Sequence, residues 1–328
     1  MVFSLTCLNA KIVHKGDKGE TGFKKNIIIF FGFFMICAAV VVIVFVLNDK
    51  NEDISETAIV KPPEIVYPTD RQISYSFTLK NTTNQVIEKS EFWTYAPVKQ
   101  TATQICGKIT SSHDHDLITD SFGNQILHYT FGVIPPYGSK IITITAELKL
   151  SNISNEIKPG DLERFFGPEK YIEMNHSDII RTAEKLKIED LLETVKKTFM
   201  WVSGNIKYAG YISQDRGALY ALKYKKGDCT EYMYLFAALC RANKIPAKCI
   251  GGYVCQENSI LKPSAYHNWV EIYNGKTWES ADPQKKLLFK NQANYIAMRI
   301  IGKIKEGSMG NFHRFRVQGK GLKVKMNG

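Results

Sequence analysis

No cysteine or histidine spacing in this sequence has the form of a zinc site or of a small disulfide scaffold. No calcium-loop pattern is present either. Clustered basic and aromatic residues of the kind used by nucleic-acid modules are missing too, which excludes nucleic acid as the expected partner. Apolar residues are not scarce. At 44% hydrophobic and 23% charged, disorder is not the default, and 328 residues are enough for two domains with separate cores. A secretory cleavage site is absent: the apolar run that starts at Asn26 continues through Val40 to Leu47, and Ile36 before Cys37 fits a lipoprotein box poorly.

That run, residues 26–47, is 22 residues without a charge. As a helix it spans about 33 Å, the thickness of a bilayer core, and is read as a retained transmembrane anchor. Lys11, Lys15, Lys18, Lys24 and Lys25 precede it, while Asp49, Glu52 and Asp53 follow. Basic flanks stay inside, so residues 1–25 form a cytoplasmic tail and everything after residue 48 lies outside the cytoplasm. Five of the 43 basic and two of the 32 acidic residues precede position 48, so the remainder carries a net charge of about +8. That balance suits a site beside anionic lipid or a cell-envelope polymer, and equally serves solubility.

Residues 48–63 are polar, acidic and end in proline, and read as a linker. Over residues 64–150 the period is two. Ile73, Tyr75, Phe77 and Leu79 share one face of RQISYSFTLKN, KIITITAELKL alternates likewise, and NTTN, DSFGNQ and PPYGS mark turns. Short alternating strands at this spacing predict an immunoglobulin-like β-sandwich. His113 and His115 in SSHDHD lack further ligands and read as a solvated turn. After a second linker, 151–176, the period becomes helical, and residues 177–328 are expected to form the functional domain. Ser177 is placed to cap a helix over IIRTAEKL, and a second helix from Glu189 carries Leu192, Val195, Phe199 and Val202, with Met200 and Trp201 read as core. The predicted class is therefore α+β.

Seven cysteines, at 7, 37, 106, 229, 240, 249 and 255, are an odd number, and the five beyond the anchor are odd as well. At least one thiol stays free. Cys229 stands out because Asp228 before it is a natural N-cap and TEYMYLFAALCRA after it is apolar nearly all round, predicting a buried helix that ends at Asn243 and Pro246. In the first turn of such a helix, free N–H groups and the dipole favour a thiolate and can hold an oxyanion. Cys240 lies deep in the same apolar run and reads as inert.

A base is needed next. YHNWVEIYNGKTWESADP holds Asn274-Gly275 between β-formers, the signal for a two-residue hairpin turn. Tyr273 then faces Lys276, and counting outward sets His267 against Asp282, within hydrogen-bond reach. Glu279 has the wrong parity. Cys229 as nucleophile, His267 as base and Asp282 as the group orienting the ring make a Cys-His-Asp triad.

Gly227-Asp228-Cys229-Thr230-Glu231, His267-Asn268-Trp269-Val270-Glu271 and Asp282-Pro283 resemble, in order, the three blocks of the transglutaminase-like superfamily. RANKIPAKCIGGYV, FMWVSGNIKY and GALYALKYKKGDC are similar to the segments around those blocks, so the resemblance covers about residues 177–300. The 64–150 domain resembles the sandwich fused to membrane-anchored bacterial and archaeal members. The chain departs from the family in having Asn268 where Ala is common after the His, and the papain-type signature is absent. The resemblance implies a papain-like core with the nucleophile helix packed on an antiparallel sheet. It also implies thiol chemistry on amide or peptide bonds through a thioester, with a protein, peptide or cell-envelope substrate and no cofactor. An aromatic or amide side chain upstream of the cysteine often helps bind the oxyanion in this family. Tyr208, Tyr211 and Gln214 are the candidates, with no choice among them. Hydrolysis and acyl transfer share the triad. The alternative is an envelope binding or scaffold module without catalysis.

Overall fold

The computed structural model describes residues 64–211, 213–302, 309–310 and 312–328, and residues from Pro63 to Gly328 form one compact unit. The expected anchor at 26–47 lies outside the described residues, among which no helix is long and apolar enough to cross a membrane.

Residues 64–150 supply β1 (Thr69–Asn81), β2 (Ser90–Ala96), β3 (Gln104–Ser111), β4 (Asp116–Thr119), β5 (Gln125–Phe131) and β6 (Ser139–Leu150). β1 and β6 pair antiparallel along their whole length, from Thr69–Leu150 to Lys80–Ser139, and β3 pairs the far side of β6. β2, β5 and β4 form a second antiparallel sheet. The expected alternation holds: Ile73, Tyr75, Phe77 and Leu79 are all buried. They share a core with Phe92, Leu127 and Tyr129 of the second sheet.

The functional half adds α1 (Ser177–Leu186), α2 (Leu191–Asn205), β7 (Lys207–Tyr208), α3 (Gly217–Tyr224), β8 (Lys226–Gly227), α4 (Cys229–Ala242), β9 (Ala247–Val254), β10 (Ser259–Ile260), β11 (Tyr266–Tyr273), β12 (Trp278–Asp282), β13 (Leu287–Leu288) and β14 (Tyr295–Ile301). Their sheet has the order β13-β12-β11-β9-β14. α4 lies at the centre of a core shared with α1, α2, α3 and the helix-facing side chains of the sheet, Cys249, Val270, Ile272 and Ala281. The other face carries Ile250, Trp269 and Trp278, which pack with Val98, Ala102 and Phe165. α1 is capped by the His176 ring, which accepts from Asp178 N at 3.2 Å, one residue ahead of the expected Ser177. In α2 Met200 is 65% exposed rather than core, because it points away from the face that carries Val195, Phe199 and Val202.

The segment 151–176 is packed rather than loose. Arg241 of α4, fully buried, donates through Nη1 to Gly167 O at 2.7 Å and to Glu169 Oε1 at 2.8 Å. The last strands, β15 (Phe315–Gln318) and β16 (Leu322–Met326), do not extend the functional sheet. β15 pairs with β2 and β16 with β1, so the C-terminus completes both sheets built by residues 64–150. β10 joins the same edge, parallel to β1 at Ile73 and Ser74.

Candidate active site

α4 begins where the sequence places it, and its first turn is held from both sides. Asp228 Oδ1 accepts from Thr230 N at 2.8 Å, and Glu231 Oε2 accepts from Asp228 N at 3.0 Å, a reciprocal capping box that satisfies otherwise orphaned donors. The other carboxylate oxygen of Glu231 accepts from Arg216 N at 3.0 Å and ties the preceding loop to the helix start. Gly227 is required there: a Cβ would collide with the Cβ of Glu231. Cys229 is thus the first residue of a helix buried along its length, and its half-buried thiol is free.

The hairpin that delivers the histidine differs from the expected one. Asn274 N donates to Thr277 O at 3.0 Å, while Asn274 Oδ1 accepts from Lys276 N and Thr277 N, both at 2.9 Å. The side chain thereby closes a four-residue turn. Tyr273 pairs with Trp278 and Val270 with Ala281, so Asp282 comes level with Trp269, not His267. The slip is two residues, and side chains alternate with period two, so His267 and Asp282 remain on one face as diagonal neighbours. They bond nonetheless: His267 Nε2 lies 2.6 Å from Asp282 Oδ2.

Asp282 is almost fully buried, and its charge is compensated by three donors. Besides His267, Tyr295 donates its hydroxyl to Oδ2 at 2.8 Å, and Lys285 N donates to Oδ1 at 3.0 Å. Burial first, then the Asp282 charge, pushes the Tyr295 phenol well up, so it stays a donor. His267 is only 7% exposed. Burial lowers its pKa, but bonds to Asp282 and to the Cys229 thiol, with the charges of both, outweigh burial and push it up to about 9. With Nε2–H given to Asp282, the neutral ring keeps Nδ1 as the acceptor that serves the sulfur.

His267 and Asp282 are therefore brought together, and Asn268, next to His267 on β11, lies 3.5 Å from Cys229 Sγ. Tyr208, Tyr211 and Gln214 are all exposed and none hydrogen-bonds Cys229 among the described contacts, while Tyr208 on β7 pairs with Gly227, two residues ahead of the cysteine. Two further side chains enter the site unannounced. Tyr295 sits thirteen residues beyond Asp282, on a strand that no local pattern ties to it. Asn268 donates from Nδ2 to Thr230 Oγ1 at 3.0 Å and lies 3.5 Å from Cys229 Sγ. Its signal in the sequence was its departure from the common Ala after the His. The other thiols of the described residues are poor nucleophiles: burial pushes Cys106 up to about 11 and Cys249 up to about 12, and raises Cys240 and Cys255 as well.

Among solved structures, the fold is similar to that of a candidate cysteine protease from Cytophaga hutchinsonii, at 18% identity and a TM-score of 0.52, covering 79% of this chain and 92% of that one. The periplasmic domain of TgpA from Pseudomonas aeruginosa, bound to ethylmercury, aligns at 14% identity and a TM-score of 0.36 over 67% of this chain and 92% of that one. No curated protein sequence matches. Residues 180–283 match the family model of the transglutaminase-like superfamily, and that interval runs through α4, β11 and β12, from before Cys229 to just past Asp282. The chain carries, over those residues, a domain of the transglutaminase-like superfamily.

Proposed function

We propose that this chain is a membrane-anchored thiol enzyme that acts on amide or peptide bonds outside the cytoplasm through a thioester on Cys229. The observation that carries the reading is the buried His267–Asp282 pair at 2.6 Å, on the same strand as Asn268, whose amide lies 3.5 Å from the free thiol at the start of a helix. In that pair the imidazolium is favoured to about pH 9, so the proton leaves sulfur for Nδ1 while Asp282 holds the ring. The thiolate attacks the amide carbon, the C–S bond forms and the C=O electron pair moves to oxygen. As that pair returns, the C–N bond breaks and the departing amine takes the proton from Nδ1. Water or an amine then gives a proton to Nδ1 and displaces sulfur, yielding acid or a new amide.

The anchor at 26–47, its basic inner flank and a net charge of about +8 beyond it support placement against an anionic envelope surface, with a protein, peptide or envelope polymer as the substrate. The test is mass spectrometry of the full-length protein incubated with a glutamine-containing peptide and an amine. A thioester adduct on Cys229 that is lost in Cys229→Ser is expected, and its fate separates hydrolysis from transfer. Equal labelling of wild type and Cys229→Ser would sink the proposal. If His267→Ala leaves the biological effect intact, the chain acts as a scaffold instead.

A further inference from the structure

The resemblance leaves the second oxyanion donor open among three exposed upstream residues, none of which hydrogen-bonds Cys229 among the described contacts. A buried side-chain donor within hydrogen-bond distance of the sulfur is on the strand that carries the base. Asn268, 7% exposed, has two N–H groups on Nδ2; one bonds Thr230 Oγ1 at 3.0 Å and the other points to Cys229 Sγ at 3.5 Å. Gly251, paired with Asn268 across β9 and β11, makes the room: a Cβ at Gly251 would lie 3.2 Å from Asn268 Oδ1 and collide with the Tyr266 hydroxyl. We infer that the Asn268 amide is a catalytic donor that completes the oxyanion site of the acyl-transfer reaction, together with the backbone N–H of Cys229.

The physical case is a handover. The N–H of Asn268 that is not bonded to Thr230 faces the sulfur, which carries the negative charge once its proton has passed to His267. When the thiolate adds to an amide carbon, sulfur becomes neutral and the charge moves to an oxygen on the adjacent carbon, two bonds away. That oxygen forms about 2.6 Å from sulfur, a distance that brings it into reach of a donor already aimed there; an effective oxyanion donor needs about 2.7–3.1 Å. Thr230 keeps the amide from following the sulfur, so the donor is fixed before the charge arrives. The backbone N–H of Cys229, at the first position of α4, has no carbonyl four residues back to accept it. Asn268 would thus take the role that an upstream aromatic or amide donor has in the family.

The inference rests on the acyl-transfer reading, and two probes of the same thiol separate them. Alkylation of Cys229 by iodoacetamide is a displacement that forms no oxyanion, whereas acetylation by p-nitrophenyl acetate passes through one. In the full-length protein, Asn268→Ala is expected to slow acetyl-thioester formation on Cys229 by about a hundredfold. Alkylation should slow by no more than about fivefold, the worth of one weak bond to sulfur. Thr230→Val, which keeps the side-chain shape and unpins the amide, should shift the same ratio in the same direction and guards against misfolding of the first variant. If both rates fall together, or neither falls, the amide is packing or a thiolate partner only and the inference is overturned. If wild-type Cys229 alkylates normally but forms no acetyl thioester, the acyl-transfer reading falls instead, and with it any oxyanion for Asn268 to bind.

Discussion

Replacing Asp282 by Asn changes one charge in a buried site and leaves its volume. Three donors converge on that carboxylate, from His267, Tyr295 and Lys285. The imidazole owes its rise from 6.5 to about 9 to Asp282 and Cys229 acting against burial, a difference worth about 3 kcal/mol in favour of the charged ring. Without the carboxylate charge, burial is opposed by the thiol alone. The thiolate–imidazolium population should fall by about two powers of ten. A second loss adds to it. The introduced amide can donate to Nε2, which forces the ring proton onto Nδ1, where it blocks acceptance from sulfur.

The assay is the rate of iodoacetamide alkylation of Cys229 between pH 5 and 10, in parallel with an NMR titration of the His267 ring. Wild type should keep its imidazolium until an alkaline limb near pH 9. Asp282→Asn should lose that limb, react at least about a hundredfold more slowly at neutral pH, and recover only as the thiol ionises alone. A variant that keeps an imidazole transition near 9 refutes the reasoning, since the carboxylate would then not be what holds the proton.

The same pair makes stability depend on pH. A folded-state value raised to about 9 over an unfolded 6.5 means that the stabilisation is complete below 6.5 and is lost as pH rises through 9, so the Tm gap between wild type and Asp282→Asn should narrow across that window; a gap that widens contradicts the sign. Among the thiols of the described residues, Cys229 alone should react at pH 7.5, because burial raises Cys106, Cys240, Cys249 and Cys255, and peptide mapping after brief alkylation checks this. Gly252→Ala should destabilise by about 3 kcal/mol or prevent folding, because a Cβ there collides with the backbone carbonyl of Ile296 and lies 2.8 Å from the Trp269 ring; a denaturant midpoint near wild type would show that β14 can yield.

The parts of the site that the sequence discloses are those governed by local rules. A cap, an apolar run and a period of two locate Cys229 at a helix start and set His267 and Asp282 on one face of a hairpin. Direct opposition of the pair was not legible. Asn274 can end a two-residue turn or, through its own side chain, close a four-residue one. Both registers bury Trp278 on the same face, because a slip of two leaves parity intact. Tyr295 and the pairing of β15 and β16 with β2 and β1 depend on contacts between distant parts of the chain, for which alternation specifies a face but never a neighbour. Asn268 was visible as a departure, though its geometry was not.

Those distant contacts also explain why the β-rich segment accompanies the His267–Asp282 pair. Tyr295 opens β14, the edge strand of the functional sheet, and an unpaired edge does not hold a hydroxyl to a few tenths of an ångström. Here the edge is paired by side chains from residues 64–150. Gln104, fully buried, accepts from Ala297 N at 2.9 Å and donates to Ala297 O at 3.1 Å, while Val98 N donates to the same carbonyl at 2.8 Å. Asn124 repeats the pattern at Ile300, accepting from its N at 2.6 Å and donating to its O at 2.9 Å. Each amide imitates a strand's paired bonds at one residue and leaves no groups for a further strand to bind there. The two-sheet half thus fixes β14, β14 fixes Tyr295, and Tyr295 holds the carboxylate that keeps the proton on His267.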